Sequence, residues 1–234
     1  MIYTKDCLDH FPLIEDNSVD LILTDPPYEI GKYSTGNINL PKRKALNNDI
    51  AKWDQLFDPS LYVNEMVRVL KKEGNMFIFT SYNLIGKWHD LLDHRFDTFQ
   101  FFIWHKRNPP PKIFKNGFLN SCEIILCLWN KGHKWNFKSQ TEMHNFFESP
   151  ICMGKERLKH PTQKPLKLLR HLIEIGSNEG DLVLDPFAGV GSTEFACKEL
   201  NRSSISIEID KTYADLAKQR VSTTQIDMFE NEGD

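Results

Sequence analysis

Two short segments carry residue types able to do chemistry: Asp25-Pro26-Pro27-Tyr28, and Asp185-Pro186-Phe187-Ala188-Gly189-Val190-Gly191-Ser192. Each follows an apolar run of strand length, so each is expected where a strand gives way to a loop, the place where open α/β sheets put ligands. In the first segment the residue before proline is driven extended and two successive prolines fix φ twice. The Asp25 carboxylate and the Pro26 carbonyl are then a rigid acceptor pair suited to one amino group, with the Tyr28 ring able to stack on a planar base. The exocyclic amine of a base is a poor nucleophile because its lone pair is delocalised into the ring. Hydrogen bonds from its protons to Asp25 and the Pro26 carbonyl would favour rehybridisation and aim the lone pair at an electrophile. Taken alone, the tetrapeptide has a second, less favoured reading as a plain turn ending a strand.

In the second segment Leu182-Val183-Leu184 is a buried-strand pattern with Asp185 at its carboxyl end. Gly189-Val190-Gly191 then turns the chain into a helix whose N-terminus faces the ligand crevice. The third glycine of the G-x-G-x-x-G fingerprint is missing, which argues against NAD or FAD. At the end of the following strand stands Glu208, placed to accept from two ribose hydroxyls. In isolation it would read as a solvated loop acid.

The elements that must position these segments follow from periodicity. Strands are expected at Val19 to Thr24, Asn75 to Thr80, Phe99 to His105, Ser121 to Trp129, Asp181 to Asp185 and Ser203 to Ile209, with a short one at Ile2 to Lys5. Helical patterns occupy Pro59 to Lys72, Leu84 to His94, Pro165 to Gly176, Ser192 to Leu200 and Lys211 to Val221. This alternation predicts an α/β fold, a mostly parallel sheet with helices on both faces. Phe99 to His105 and Ser121 to Trp129 have no helix between them and should be antiparallel neighbours at one edge. Residues 1–221 form one expected domain. Within it the polar stretch Glu29 to Asp54 is long enough for a mobile functional loop, and 131–159 reads as an inserted recognition segment. Residues 222–234 read as a flexible tail.

The 234-residue chain has a net charge of -3, but residues 101–170 hold 13 Lys/Arg against 4 Asp/Glu. Charge alone is as consistent with a solvated face. The interleaving of Lys106, Arg107, Lys112, Lys115, Lys131, Lys134 and Lys138 with Trp104, Phe114, Phe118, Trp129, Trp135 and Phe137 points instead to nucleic acid, since cations neutralise phosphate and rings stack on bases. Five cysteines without a C-x-x-C pair argue against both a zinc site and a disulfide framework, so no metal is expected. A cytoplasmic setting follows from this cysteine usage and from the lack of a signal-type or membrane-length apolar run.

Leu23-Thr24-Asp25-Pro26-Pro27-Tyr28, His160-Pro161-Thr162-Gln163-Lys164-Pro165 and Leu184-Asp185-Pro186-Phe187-Ala188-Gly189-Val190-Gly191-Ser192-Thr193 resemble the catalytic and cofactor motifs of DNA amino-methyltransferases. Their order, catalytic motif first and glycine motif last, is similar to the permuted β group of that family. Asp16-Asn17-Ser18-Val19-Asp20, Trp104-His105-Lys106 and Glu123 support the resemblance, which covers nearly all of residues 3–220. It implies a Rossmann-like methyltransferase fold with a mixed seven-stranded sheet whose antiparallel strand lies at the edge, S-adenosylmethionine as cofactor, and double-stranded DNA as partner. Carried over by position, Asp25, Pro26, Pro27 and Tyr28 are catalytic. Asp6, Thr162, Lys164, Asp185, Phe187, Ala188, Gly189, Gly191, Ser192, Thr193 and Glu208 hold the cofactor, with Glu208 on the ribose, Asp6 toward the adenine ring and the Thr162 to Pro165 stretch along the methionine moiety. The target nucleotide must leave the stack to reach such a site, and Lys42-Arg43-Lys44 in the long loop could grip phosphate. With Lys106, Lys112, Lys134 and Lys138 these form the expected DNA contacts.

The resemblance favours adenine N6, since Asp25 heads a motif in which Ser is commoner among members acting on cytosine N4. N4-cytosine methylation and a non-catalytic nucleic-acid binder that kept the fold are the alternatives. The tail segment Gln225-Ile226-Asp227-Met228-Phe229 resembles short peptides that dock on the bacterial sliding clamp, and reads otherwise as a frayed tail. A homodimer and a bacterial or phage origin are both compatible with the chain.

Overall fold

A computed structural model describes residues 1–28, 57–111, 115, 117–158, 160 and 162–230, with backbone alone for 155 and 223–230. Its strands are β1 (Ile2–Thr4), β2 (Val19–Thr24), β3 (Leu70–Thr80), β4 (Thr98–Lys106), β5 (Cys122–Trp129), β6 (Phe146–Ser149), β7 (Leu182–Asp185) and β8 (Ser203–Glu208). The helices are α1 (Cys7–His10), α2 (Ser60–Val69), α3 (Ile85–Leu92), α4 (Leu166–Gly176), α5 (Ser192–Glu199) and α6 (Lys211–Glu230). All strands join one sheet in the order β1-β8-β7-β2-β3-β5-β4-β6.

Period-2 alternation divides the sheet into two buried faces. Ile22, Met76, Ile78, Leu126 and Leu128 pack against Val63, Met66 and Val69 of α2 and Trp88 and Leu92 of α3. Leu21, Leu23, Phe77, Phe79, Ile125 and Cys127 face Leu168, Leu169, Leu172 and Ile173 of α4 and Ala196 and Cys197 of α5. Three layers result, the expected α/β arrangement.

The sheet is mixed, but two details differ from expectation. Among the described residues it has eight strands, because the insertion supplies β6, which pairs in parallel with β4 from Ile103↔Phe146 to Lys106↔Ser149. The reversed strand β5 is not at the edge either, because it lies between β3 and β4 and is antiparallel to both. The buried Trp104 indole donates to Ser149 Oγ at 2.8 Å and pins β6 in place. Helix α2 also stops at Val69 rather than Lys72. Leu70 pairs with Val19 at the start of β3, and Lys71 reaches the buried Asp20 carboxylate at 2.8 Å, so this stretch is drawn into the sheet. At the other end of the chain, α6 continues from the expected Val221 limit to Glu230.

β2 lies between β3 and β7 and is parallel to both. From β7 the chain crosses to β8 on one side, whereas from β2 it crosses to β3 on the other, so the β2/β7 junction is the switch point where a crevice opens at the carboxyl ends. Asp25 and Asp185 stand side by side at that rim.

Candidate active site

The two signature segments are tied together by their strand ends. The Thr24 hydroxyl donates to Asp185 Oδ1 at 2.9 Å in a buried contact, and the Phe187 amide donates to the same oxygen at 3.2 Å. Burial pushes the Asp185 carboxyl up to about 6, against hydrogen bonds from Thr193, Thr24 and Phe187 that favour its charged form. Asp185 thus braces the turn that follows it.

In that turn Gly189 and Gly191 have φ of 52° and 70°, a region L side chains avoid. A Cβ on Gly189 would come within 3.3 Å of His160 Nε2, and one on Gly191 within 2.8 Å of Ala217 Cβ. The Gly189 amide donates to Glu208 Oε2 at 2.7 Å, and the Asp210 amide donates to Glu208 Oε1 at 2.8 Å. Burial raises the Glu208 pKa even though these amides oppose it. A half-buried carboxylate beside a turn that two glycines keep open fits a ribose with two adjacent hydroxyls. Asp6 stands nearby: the Lys5 amide donates to the Glu208 carbonyl at 3.1 Å, and Asp6 itself caps α1 by accepting from the Leu8 amide at 2.9 Å. Phe187 forms a wall with Phe57 and Tyr62, at ring separations of 5.6 and 5.1 Å. These groups suit the adenosine half of the cofactor that the sequence predicts.

Beside this pocket lies a cluster of charges. Asp25, Phe79 and Lys106 at the carboxyl ends of β2, β3 and β4, and Glu123 at the start of the antiparallel β5, have the same side-chain parity as Leu23, Phe77, Trp104 and Ile125, so all face the α4 layer. Lys164 arrives from the segment before α4. That segment is held by Gln163, whose Oε1 accepts from the Leu158 amide and whose Nε2 donates to the Glu156 carbonyl, both at 2.8 Å. The Lys164 ammonium forms a close ion pair with Asp25 Oδ2 and lies 3.2 Å from Glu123 Oε2. It also sits over two rings, 5.1 Å from the Tyr28 centroid and 5.0 Å from that of Phe79. Glu123 is the hub: its Oε1 is 2.6 Å from Lys106 Nζ, and its Oε2 accepts from the Tyr28 hydroxyl at 3.1 Å. The Tyr28 carbonyl accepts from Ser81 Oγ at 2.9 Å, which fixes the backbone beyond the prolines.

Burial raises the Asp25 pKa and Glu123 adds repulsion, while Lys164 pulls it down. Glu123 is buried too, yet Lys164 and Lys106 together hold it below the usual carboxylate range. Burial alone would lower the Lys164 pKa; Asp25 and Glu123 outweigh it and raise it. Two carboxylates and two ammonium groups balance in a largely desolvated site.

Several other expected site residues are engaged within the protein. Ser192 Oγ accepts from Arg220 at 2.9 Å and so ties α5 to α6. Ala188 is buried, its amide donating to the Ile207 carbonyl at 2.9 Å. The exposed Thr162 donates its amide toward His160 Nδ1 at 3.4 Å. Lys134 corrects a DNA-contact expectation: it bridges Asp20 at 2.8 Å and Asp181 at 2.7 Å, at the amino ends of β2 and β7, on the rim opposite the site. Lys138 pairs with Glu174 near the end of α4 and is likewise remote. Lys106 is on the correct rim but is committed to Glu123, with its side chain 12% exposed, so it belongs to the charge cluster rather than to a phosphate contact. Lys42, Arg43, Lys44 and Lys112 lie outside the described residues, as do residues 29–54 and the side chains of Gln225, Ile226, Asp227, Met228 and Phe229.

Glu123 and His160, like the ring-bearing Phe57, Tyr62 and Phe79, had no role assigned from sequence. Glu123 carried a signal, since a charge two residues before Ile125 and four before Cys127 shares their buried face. His160 covers the Gly189 turn and packs edge-on against Tyr213 at 4.6 Å, with burial lowering its pKa to about 4, so the ring is neutral near pH 7. No local pattern announces that contact.

Comparison with known proteins agrees with this geometry. Residues 19–219 match a family described as DNA methylase. The chain is 33% identical to the type II methyltransferase M.HpaI of Haemophilus parainfluenzae over 90% of its own length and 70% of that protein's. It is 31% identical to the type II methyltransferase M.HinfI of Haemophilus influenzae, over 94% and 67% respectively. Among solved structures, a complex of M1.HpyAVI with SAM superposes with a TM-score of 0.71 at 30% identity, covering 94% of this chain and 98% of that one. The cytosine-N4-specific PvuII DNA methyltransferase reaches the same TM-score at 16% identity, covering 94% and 85%, a likeness of fold alone.

Proposed function

The chain belongs to the N6/N4 DNA methylase family, whose cofactor is S-adenosylmethionine, and we propose that it methylates the N6 amino group of adenine in double-stranded DNA. The observation that carries this reading is the junction of Asp25 and Asp185 at neighbouring strand ends, linked through Thr24. An amine held by the first segment would lie beside whatever the glycine turn holds. The cofactor supplies an electrophilic methyl on a sulfonium sulfur. Every other contribution comes from the chain. Asp25 and the Pro26 carbonyl accept hydrogen bonds from the two amine N–H groups and stabilise the positive charge that develops on nitrogen, which sheds one proton once the methyl is attached. Tyr28 stacks on the extruded base and offsets part of the cost of leaving the duplex. Glu208 orients the cofactor through its ribose, and Phe187 excludes water from the adenosine side.

Asp25 at the head of the catalytic motif supports adenine over cytosine. The type II methyltransferases it resembles support a modification role within a restriction–modification system, in the cytoplasm. Residues 131–159 would supply sequence contacts beyond β6, and a homodimer is part of this proposal. The tail segment Gln225 to Phe229 would dock on a sliding clamp through its apolar anchors; ending the chain at Thr224 should abolish clamp capture, and equal capture removes the idea. The function is tested by treating unmethylated DNA with the protein and cofactor and analysing the nucleosides by mass spectrometry. N6-methyladenine is expected. N4-methylcytosine would overturn the base assignment, and the absence of any methylated nucleoside would favour a non-catalytic binder.

A further inference from the structure

We propose that Lys164 stands in for the target amine: in the resting protein its ammonium occupies the acceptor oxygen of Asp25 over the Tyr28 ring, and the arriving base displaces it onto Glu123. This inference rests on the methyltransferase reading above and concerns how its base pocket is kept before DNA binds.

The ammonium presents what the reacting amine will present. Both are nitrogens donating N–H bonds to a carboxylate, and both carry positive charge, the amine only as the methyl group is transferred. Lys164 already has the surroundings expected for the base: a close ion pair with Asp25 Oδ2, and the Tyr28 and Phe79 rings at 5.1 and 5.0 Å. Its side chain is only 5% exposed, so it cannot be treated as a solvated surface lysine that happens to lie near the site.

A stand-in is needed because a desolvated carboxylate left unpaired is costly. The same stand-in must leave before chemistry, because an ammonium on Asp25 would cancel the negative charge that should stabilise the nascent cation. Glu123 provides the destination. Its Oε2 is 3.2 Å from Lys164 Nζ, so the ammonium changes partner with a small displacement and without crossing apolar surface. Glu123 Oε1 stays with Lys106 at 2.6 Å, which keeps the carboxylate in place throughout. The Tyr28 hydroxyl, donating to the same Oε2 at 3.1 Å, links the ring that will receive the base to the group that receives the lysine. The low pKa of Glu123 is consistent with an acceptor that is ionised whenever the base arrives. Charge is conserved across the exchange: two carboxylates and two ammonium groups are present before and after, and only the pairing changes. Glu123 and Lys164 are positioning residues in this scheme, since neither delivers or removes the methyl group.

The test is a double-mutant cycle on the full chain with S-adenosylmethionine and unmethylated genomic DNA, reading kcat and KM for DNA from N6-methyladenine formed. Glu123→Gln removes the destination charge while keeping shape, so Lys164 stays on Asp25 and kcat/KM should fall about tenfold or more. In a Lys164→Met background nothing has to be displaced, and the same Glu123→Gln change should cost less than threefold. Cofactor affinity by calorimetry should be the same for Glu123→Gln and the parent, which a general loss of structure would not allow. Lys164→Gln, a polar side chain without charge, serves as the background if the Met variant loses its fold. Equal Glu123→Gln penalties with and without Lys164, or no penalty in the parent, would overturn the proposal while leaving the methyltransferase reading intact. Failure of the parent to methylate DNA would remove both.

Discussion

Replacing Asp185 with Asn should make the cofactor-free protein relatively more stable at alkaline pH than at acid pH. Asp185 is 3% exposed, and its pKa rises from 3.8 to about 6 because burial disfavours the charged form. A folded-state pKa above the unfolded value means that the native state binds the proton more tightly, so native stability is lost as pH rises from about 4 to about 6. The full shift of roughly two units corresponds to about 3 kcal/mol lost above that window, an upper figure since the site can relax. At pH 4.5, where the folded-state group is protonated and the unfolded-state group is mostly ionised, only about 1 kcal/mol has been lost. The Asn variant lacks this titration, so its stability relative to the parent should improve by about 2 kcal/mol between pH 4.5 and pH 8. That difference is independent of how well the amide replaces the carboxylate toward Thr24, Thr193 and the Phe187 amide. For a chain of this length it amounts to roughly 4–8 °C in relative Tm. Thermal unfolding of both proteins at the two pH values measures it. A Tm difference that does not change with pH would refute the placement of Asp185 as a buried carboxylate with a raised pKa.

Gly191→Ala should lower Tm by roughly 4–20 °C, combining about 1–2 kcal/mol for the left-handed backbone with about 1–3 kcal/mol for a Cβ driven onto Ala217. Gly180→Ala is the matched control: φ is 81° there but the space is open, so the backbone part alone should appear. Glu208→Ala should weaken cofactor binding by roughly tenfold to a hundredfold in calorimetry, the cost of about 1.5–3 kcal/mol when hydrogen bonds to a charged group are lost; unchanged affinity would show that Glu208 merely ties down the Gly189 amide. Lys134→Met should destabilise by about 1–3 kcal/mol, because Asp20 keeps Lys71 and the Leu182 amide but Asp181 loses its ammonium partner, with the part-exposed position moderating the loss. DNA affinity should stay unchanged in a fluorescence-anisotropy titration, and a drop would return Lys134 to the DNA-binding face.

The alternation of apolar runs was enough to read the three-layer architecture and the adjacency of β4 and β5. It could not reveal β6, since Phe146-Phe147-Glu148-Ser149 has no clean alternation and becomes a strand only by pairing with the open side of β4. The end of α2 was misplaced for a similar reason: Lys71 and Lys72 look like a basic last turn, but the pull on Lys71 comes from Asp20, 51 residues away in sequence. In the site, the rigid Asp25 segment and the glycine turn were legible because their chemistry is local. The lysines were not, because residue type does not say which rim of the sheet a side chain reaches. Lys134 reads as a phosphate contact and proves to be an internal tie; Lys106 and Lys164 read as ligand contacts and converge on Glu123 and Asp25.

The central claim is that Asp25 acts on the amine in the transition state rather than on cofactor binding. Asp25→Ala should therefore retain cofactor affinity within about threefold while the single-turnover rate of methyl transfer falls by about a hundredfold to a thousandfold, as for other lost electrostatic contacts to a developing charge. Methyl transfer within tenfold of the parent rate at saturating DNA and cofactor would contradict the account.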